Sequence, residues 1–328
     1  MENSIFLTTD LLSGPETVTP DMTFAEFYRI YYADMQGRLK PTTLATKDAV
    51  ISGKILPAFG SLPMNAITPR LIRRWQTGLL TQGYSDTYLR TIDMHLSSVF
   101  KYAYKYYDMD NPCTKADHIG SSNARTLNFW TLDEYRAFIA TCSDSPVAFT
   151  AFELLYWCGI RVGELLALTP QDIDPKKKLL KITKTYTRQG GRDVISAPKT
   201  PDSVRDVGMP DFLFAEVTAY IGDTGMKKNE RLVPHTIDFL KYRLQCGCKK
   251  SGVKRIRIHD IRHSHVSLLI DQGFSAAAIA GRVGHRHIST TVNVYAHLFP
   301  NRQEMLADAL QEMHDGTFKK EDFACAKN

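Results

Sequence analysis

Residues 179–187 read Leu-Leu-Lys-Ile-Thr-Lys-Thr-Tyr-Thr, and they begin the one clear β pattern in this chain. Apolar and polar side chains alternate along them, as they do in a strand with one buried face. Gly190-Gly191 then provides a turn, and residues 193–197 and 204–209 can pair back in antiparallel fashion. The remaining periodicity is helical. The sequence therefore predicts a mainly α protein with a small antiparallel β-sheet (α+β).

Before this region, apolar residues recur at three- and four-residue spacing, which is typical of helices. Helices are expected to begin behind Thr23, at Pro41, at Thr68-Pro69 and behind Ser85. The second is expected to end near Leu56, because Pro57 and Gly60 follow. Together they predict a helical bundle over residues 22–112, preceded by a flexible leader over 1–21.

A polar stretch over residues 113–128 is the expected linker to a second domain over 129–300. That domain is expected to open with a capping box, Thr131-Leu-Asp-Glu134. Its further helices are expected over 147–158, 161–168, 211–221, 235–248, 259–273, 275–283 and 289–295. A C-terminal helix and tail are expected over 301–328.

Composition limits the class of protein. The chain has 328 residues, 43% of them hydrophobic, which is too long for one compact core and favours two domains. No apolar run reaches the ~18 residues of a membrane span, and Glu2 and Asp10 stand where a signal peptide would be basic and then apolar. The six cysteines form no pair of C-x-x-C units. We expect a cytoplasmic protein without a membrane partner.

The positive charge is unevenly distributed. Residues 1–120 carry 12 Lys and Arg against 12 Asp and Glu, whereas residues 175–262 carry 20 against 9. A concentrated surplus of this kind suits a polyanionic partner, because lysine and arginine set against phosphates release condensed counterions. A solvated charged face is the alternative.

Four short segments of the second domain carry the candidate chemistry. They are Gly159-Ile-Arg-Val-Gly-Glu-Leu-Leu-Ala-Leu168, Pro198-Lys-Thr-Pro-Asp-Ser-Val-Arg205, His259-Asp-Ile-Arg-His263, and Gly284-His285 leading through Thr290-Thr291 to Tyr295-Ala-His297. Their order and character closely resemble the tyrosine recombinase (phage integrase) family. The resemblance covers residues 129–300 and, more weakly, residues 22–112, which resemble the SAM-like core-binding domain of that family.

The resemblance assigns Arg161 and Arg262 to a pair of arginines that bind the scissile phosphate. Cleaving a phosphodiester concentrates negative charge on two non-bridging oxygens. Arginine suits this position because it donates two parallel hydrogen bonds and stays protonated. Glu164, one helical turn after Arg161, is expected to support the site by orienting an arginine or a histidine.

The resemblance also implies the remaining catalytic positions. Tyr295, one of 15 tyrosines, is the nucleophile, and His259 handles its proton. His285 donates a hydrogen bond to the phosphate, and Lys199 protonates the departing 5′ oxygen. A phenol has a pKa near 10, and the surrounding cations are expected to lower it. No cofactor is expected.

A metal site is the alternative interpretation of His259, His263 and His265, because His-x-x-x-His is a helical ligand spacing. Asp260 stands where a metallohydrolase of that type would carry glutamate, and Arg262 would repel a divalent cation. We therefore predict no metal, and we expect His263 and His265 to pack or to support the site.

Basic side chains cluster on the second, third and fourth predicted helices, where they could contact backbone phosphates of a duplex held between the two domains. A solvated basic edge is again the alternative. The expected DNA-binding residues are Arg38, Lys40, Thr42, Lys47, Arg73, Arg74, Arg90, Lys101, Lys105 and Arg205.

The resemblance implies a site-specific DNA recombinase that works through a 3′-phosphotyrosine and integrates or excises a mobile element. Its implied partners are double-stranded DNA recombination sites, three further copies in a homotetramer on DNA, and an excisionase or DNA-bending accessory protein, in the bacterial cytoplasm at the nucleoid. An amphipathic helix over 302–313 would pack on a neighbouring subunit or on its own domain. A catalytically inactive DNA-binding regulator and a type IB topoisomerase-like activity are the alternatives.

Overall fold

The computed structural model describes residues 18–121, 128–198, 203–295, 307, 310, 311 and 313–315. The chain forms two units, Met1–Asn123 and Ala124–Asn328. Both are mainly helical, and the second also contains small antiparallel sheets, so the predicted fold class is confirmed. Most of the expected leader and of the expected C-terminal helix lies outside the described residues. Within the described ranges, no helix is both long and apolar enough to cross a bilayer.

The first unit is a bundle whose helices begin at the predicted caps. Its helices are α1 (Phe24–Arg38), α2 (Pro41–Val50), α3 (Leu56–Phe59), α4 (Pro69–Leu80) and α5 (Asp86–Tyr107). Thr23 caps α1 through a capping box, in which the Glu26 carboxylate accepts a hydrogen bond from the Thr23 amide at 2.8 Å. Thr68 and Ser85 cap α4 and α5 with their hydroxyl groups.

We predicted that the second helix would end near Leu56, before Pro57, but it continues past that residue. A π-helical turn, Ile51–Ile55, joins α2 directly to α3. Pro57 lies in the first turn of α3, where a missing N–H is tolerated. Ile51 and Ile55 are fully buried, so packing of this turn explains why the helix continues.

The described part of the predicted linker packs on the first unit. Residues 112–115 form a 3₁₀ turn, and Cys113, Ala116 and Ile119 are buried in the core of that unit. These three apolar side chains recur every third residue and cover one face, a short pattern that the polar residues between them conceal.

The second unit is built around a buried helix over Pro146–Cys158. Its helices are α6 (Leu132–Ile139), α7 (Pro146–Cys158), α8 (Val162–Leu165), α9 (Asp211–Thr224), α10 (Ile237–Ser251), α11 (Ile258–Asp271), α12 (Ala276–Val283) and α13 (Ile288–Tyr295). Helix α11 packs against α7. The capping box behind Thr131 is present. The helix predicted over 161–168 is shorter than expected, and only its first turn is α-helical.

The strand predicted over 179–187 is divided between two sheets. The strands are β1 (Ile173–Asp174), β2 (Leu179–Ile182), β3 (Thr185–Gln189), β4 (Arg192–Ser196) and β5 (Arg205–Gly208). One sheet has the antiparallel order β1-β2-β5, and the other is a hairpin of β3 and β4 over the turn at Gly190-Gly191. Thr183, Lys184 and Thr185 at the break are all polar, but no glycine or proline marks a turn there, so the pattern predicts one strand.

Candidate active site

Three of the four sequence motifs meet at helix ends within the second unit. Arg161 immediately precedes α8, and Arg262 lies in the second turn of α11. His285 follows the end of α12, and Tyr295 is the last residue of α13. Lys199 of the remaining motif falls in 199–202, outside the described residues.

Arg262 is buried, with 3% of its surface exposed, and is held by two backbone carbonyls. Its Nη1 donates to the Gly159 oxygen at 2.8 Å and its Nη2 to the Val283 oxygen at 2.5 Å. These oxygens lie at the C-terminal ends of α7 and α12, where carbonyls have no partner in their own helix. Burial and the charge of Arg161 lower the pKa of Arg262 to about 9, which leaves it protonated at neutral pH.

Arg161 is paired with Glu164, as expected of that glutamate. Its Nη1 donates to Glu164 Oε1 at 2.8 Å, and its Nη2 donates to the Gly284 oxygen at 3.2 Å. The side chain of Arg161 is 36% exposed and that of Glu164 only 3%. Burial alone would raise the pKa of Glu164, but hydrogen bonds and charges of Arg205 and Arg161 hold it below its usual value.

Arg205 does not face outward for DNA, in contrast to our prediction. Its side chain is 7% exposed, and Nη2 donates to Glu164 Oε2 at 2.9 Å. Nε donates to the Arg282 oxygen at 2.9 Å and Nη1 to the Ser203 oxygen at 3.1 Å. A guanidinium that contacts protein through all three nitrogens is part of the site's framework rather than a surface contact for DNA.

The Tyr295 side chain is 1% exposed. Burial raises the pKa of this phenol above its usual value, although the charge of Arg262 acts in the opposite direction. The expectation that neighbouring cations would lower its pKa is therefore wrong for this state, because loss of hydration outweighs the attraction. The apolar side chains packed with it are Val266, Ile270, Ile279 and Val283.

The hydrogen-bond partner of the Tyr295 hydroxyl is Nδ1 of His263. Burial and the charge of His259 lower the pKa of His263 to about 4, so its ring is neutral at pH 7 and can accept the phenol's proton in a hydrogen bond. His259 is exposed, and its ring centroid lies 5.0 Å from that of His263. The two histidines lie one turn apart on α11. The Tyr295 hydroxyl contacts His263, which we expected only to pack or to support the site, and not His259, to which the resemblance gave the proton.

Two further histidines lie close to the arginines. His285 Nδ1 is 2.8 Å from the hydroxyl of Thr291, which is fully buried, and burial followed by the charge of Arg262 lowers the pKa of His285 to about 4. His265 is buried and accepts from Arg282 Nε at 3.1 Å, consistent with a supporting position. Across the described ranges, no group of three or more His, Cys, Asp or Glu side chains is arranged to hold a metal ion.

Most of the expected DNA-binding residues of the first unit are on its surface. Lys47 and Arg90 are half-buried, and Lys47 contacts the hydroxyl of Tyr31. Arg38 is paired with Asp34 at 2.9 Å, an exposed contact that phosphate could replace. The exposed members are Arg38, Lys40, Thr42, Arg73, Arg74, Lys101 and Lys105.

Sequence reasoning missed Arg282 altogether. Its Nη2 donates to the Trp157 oxygen at 2.9 Å and to the Gly208 oxygen at 3.2 Å, so it ties α12 to α7 and β5. Arg282 lies in the last turn of α12, where a cation interacts favourably with the carbonyl end of the helix. Many surface arginines share this position, so the sequence signal is not specific.

Comparison with known families gives two matches. Residues 23–80 match the N-terminal SAM-like domain of phage integrases, and residues 128–302 match the phage integrase family. The chain is also 29% identical over 308 residues to the ICEBs1 integrase of Bacillus subtilis (strain 168), an alignment that covers 89% of this chain and 83% of that relative.

Solved structures share the fold. An integrase of the Tn1549 transposon, in complex with transposon right end DNA, has a TM-score of 0.73 at 19% identity and covers 88% of this chain and 99% of that one. A lambda integrase tetramer bound to a Holliday junction has a TM-score of 0.62 at 19% identity, covering 86% of this chain and 79% of that one.

Proposed function

The chain belongs to the phage integrase family of tyrosine recombinases, and we propose that its second unit cleaves and rejoins DNA strands through Tyr295. The activity is site-specific recombination of a mobile element, in keeping with its similarity to integrases of integrative elements and prophages. The substrate is double-stranded DNA carrying a recombination site.

A local surplus of positive charge carries the proposal. The guanidinium groups of Arg161 and Arg205 both pair with Glu164, and the buried guanidinium of Arg262 acts electrostatically on both arginines. Among the described side chains at this point, three cations therefore face one carboxylate. A phosphodiester would neutralise that surplus, and fixed donors stabilise its charge further as the transition state forms.

In the proposed first step, Tyr295 Oη attacks the scissile phosphorus, a bond to the 3′ phosphate forms and the bond to the 5′ oxygen breaks. The phenol's proton passes to His263 Nδ1, the group in contact with it. The departing 5′ oxygen takes a proton from Lys199, a role that rests on the resemblance alone. Attack by an incoming 5′ hydroxyl on the phosphotyrosine then reverses these bond changes and rejoins the strand.

His285 is proposed to donate to a non-bridging oxygen through Nε2. This role requires the tautomer with hydrogen on Nε2, in which Nδ1 accepts from the Thr291 hydroxyl that lies 2.8 Å away. A neutral ring suits this role, and its pKa of about 4 keeps it neutral. Because the Tyr295 hydroxyl is buried, the attack also requires α13 to reposition when DNA binds.

We further propose that exposed basic residues of the first unit hold the duplex and that four copies assemble on two recombination sites. Support for assembly comes from the shared fold with a lambda integrase seen as a tetramer at a Holliday junction. An excisionase or DNA-bending partner and a place at the nucleoid belong to the same proposal. The amphipathic helix expected over 302–313, which would pack on a neighbouring subunit or on its own domain, lies largely outside the described residues.

The test uses a duplex with a nick close to the cleavage position. After cleavage, the short fragment that carries the 5′ hydroxyl diffuses away, so the strand cannot be rejoined and the covalent adduct accumulates. Because the recognition sequence is unknown, the DNA should be the junction of the element that encodes this chain. We expect a protein–DNA species that resists denaturation with the native chain and is absent for Tyr295→Phe. The matched control is Tyr242→Phe, which changes an exposed tyrosine of α10 outside the site.

This experiment also separates the alternatives. A DNA-binding regulator would shift the duplex without forming an adduct, and that result would overturn the proposal. A topoisomerase-like protein would relax supercoiled DNA that has no recombination site, whereas a recombinase is expected to require the site and a partner duplex.

A further inference from the structure

We propose that Arg205 is a positioning residue for strand cleavage, acting through Glu164 and the carbonyl end of α12 to keep Arg161 and His285 in place. This role rests on the proposed function: Arg205 would be required for cleavage although it does not contact DNA.

The first observation is how completely Arg205 is engaged. Its Nη1 and Nη2 lie 3.2 and 2.9 Å from the two oxygens of Glu164, in a fork that matches the carboxylate plane. The same two oxygens also accept from Arg161 Nη1 at 2.8 Å and from the Arg161 amide at 2.9 Å. Glu164 is thus clamped between two arginines, and only Arg161 has substantial exposure to solvent.

The second observation concerns three successive carbonyls at the end of α12, each of which accepts from a different arginine. The Arg282 oxygen accepts from Arg205 at 2.9 Å, the Val283 oxygen from Arg262 at 2.5 Å, and the Gly284 oxygen from Arg161 at 3.2 Å. The next residue in the chain is His285.

The terminal carbonyls of a helix need external donors, and they attract cations. Here the donors are the two proposed phosphate-binding arginines and Arg205. The same guanidinium that fixes Glu164 therefore also fixes the segment that leads to His285. Removing it would release Arg161 on one side and the α12 terminus on the other.

Lysine cannot replace this arrangement, because its ammonium is a point charge without a planar fork. Arg205→Lys keeps the charge and most of the volume but cannot bridge Glu164 and the Arg282 carbonyl together. The matched control is Arg243→Lys, which alters a mostly buried arginine of α10 that pairs with Asp144 and contacts none of these groups.

The experiment measures the single-turnover rate of adduct formation with saturating protein on two nicked duplexes. One has the natural phosphodiester at the cleavage position. The other has a methylphosphonate, in which a methyl group replaces one charged oxygen, so neutralisation by arginine matters less. We expect Arg205→Lys to slow cleavage of the phosphodiester about 10- to 100-fold, less than the ~10²- to 10³-fold loss caused by removing a transition-state donor itself, and cleavage of the methylphosphonate less than about 3-fold.

A purely structural defect would lower both rates by the same factor, and the ratio of the two rates does not depend on the fraction of protein folded. Equal loss on both substrates, or no loss on either, therefore overturns the proposal. Weaker DNA binding with unchanged cleavage of bound DNA also overturns it and restores Arg205 as a DNA contact. If Arg205→Lys does not fold, the same ratio is measured for Glu164→Gln, which must show the same preference. If the native chain forms no adduct, the proposed function has failed instead.

Discussion

The hydroxyl of Tyr295 and Nδ1 of His263 are in direct hydrogen-bond contact, although 32 residues separate them in sequence. The phenol has an elevated pKa and the imidazole a pKa of about 4, so the proton stays on the tyrosine before DNA binds. The contact both orients the nucleophile and offers a base beside it.

We expect His263→Ala to slow adduct formation about 100-fold, at the low end of the range for a lost general base. The rate is measured in a single turnover on a nicked duplex, together with DNA binding, which should be unchanged. His287→Ala is the control, since that histidine is exposed. If His259→Ala abolishes the rate while His263→Ala leaves it intact, the base is His259, as the resemblance implied.

The pH dependence of cleavage should lack the inflection near 6.5 that an unperturbed histidine gives. His263 and His285 have pKa values of about 4, so both remain neutral as the pH falls, and only near that value does His263 Nδ1 lose its capacity to accept the phenol's proton. We expect the single-turnover rate on bound DNA to change less than about 2-fold between about pH 5.5 and 7.5. An inflection near 6.5 that disappears in a His263 or His285 variant would contradict these shifts.

Local signals account for the parts of the fold that the sequence predicts correctly. The capping boxes at Thr23 and Thr131 each require only a glutamate three positions later in the sequence, so their helices begin where expected. The division of residues 179–187 between two sheets depends on which strands lie alongside, and no glycine or proline marks the break. That outcome is decided by tertiary packing.

The same distinction applies to the site. The pairing of Arg161 with Glu164 spans three residues and could be expected from spacing. The partners of Arg262 are carbonyls 103 and 21 residues away, which no local pattern encodes. Arg205 lies in a basic region that favoured a DNA contact, and only the fold shows that its charge is directed at Glu164.

Substitution of Gly159 by alanine should destabilise the fold more than the same change at a comparable glycine elsewhere. It ends α7 at φ +62°, and a Cβ there would lie 2.3 Å from Cδ2 of His265. The control is Gly225, which ends α9 at φ +60° with nothing within 4 Å of the added atom. We expect Gly225→Ala to lower the free energy of unfolding by about 1 kcal/mol from left-handed strain.

Gly159→Ala should lower it by about 3 kcal/mol or more, because the clash adds to that strain. Chemical denaturation of both variants measures the difference. The Gly159 carbonyl also holds Arg262, so its displacement should reduce cleavage in the protein that remains folded. Equal losses in the two variants would show that α7 yields to the added methyl group.

Glu153 provides a pH-dependent element of stability in the second unit. It is 5% exposed, its carboxylate accepts from the Tyr135 hydroxyl at 2.7 Å, and its own helix contributes a hydrogen bond from Trp157. Burial, reinforced by the charge of Glu216 on α9, raises the pKa of Glu153 to about 7. The folded state therefore holds a proton that the unfolded chain releases near its ordinary value of 4.5.

The stabilisation is complete below the unfolded pKa and is lost as the pH rises through 7, a change of about 3 kcal/mol at 1.36 kcal/mol per unit. Glu153→Gln removes the charge and should remove this dependence. We expect the variant to match the native chain near pH 5 and to exceed its free energy of unfolding near pH 8. Glu216→Gln, at an exposed position, is the control and should produce a smaller difference. Parallel pH profiles for the native chain and Glu153→Gln would mean that this carboxyl ionises normally in the folded protein.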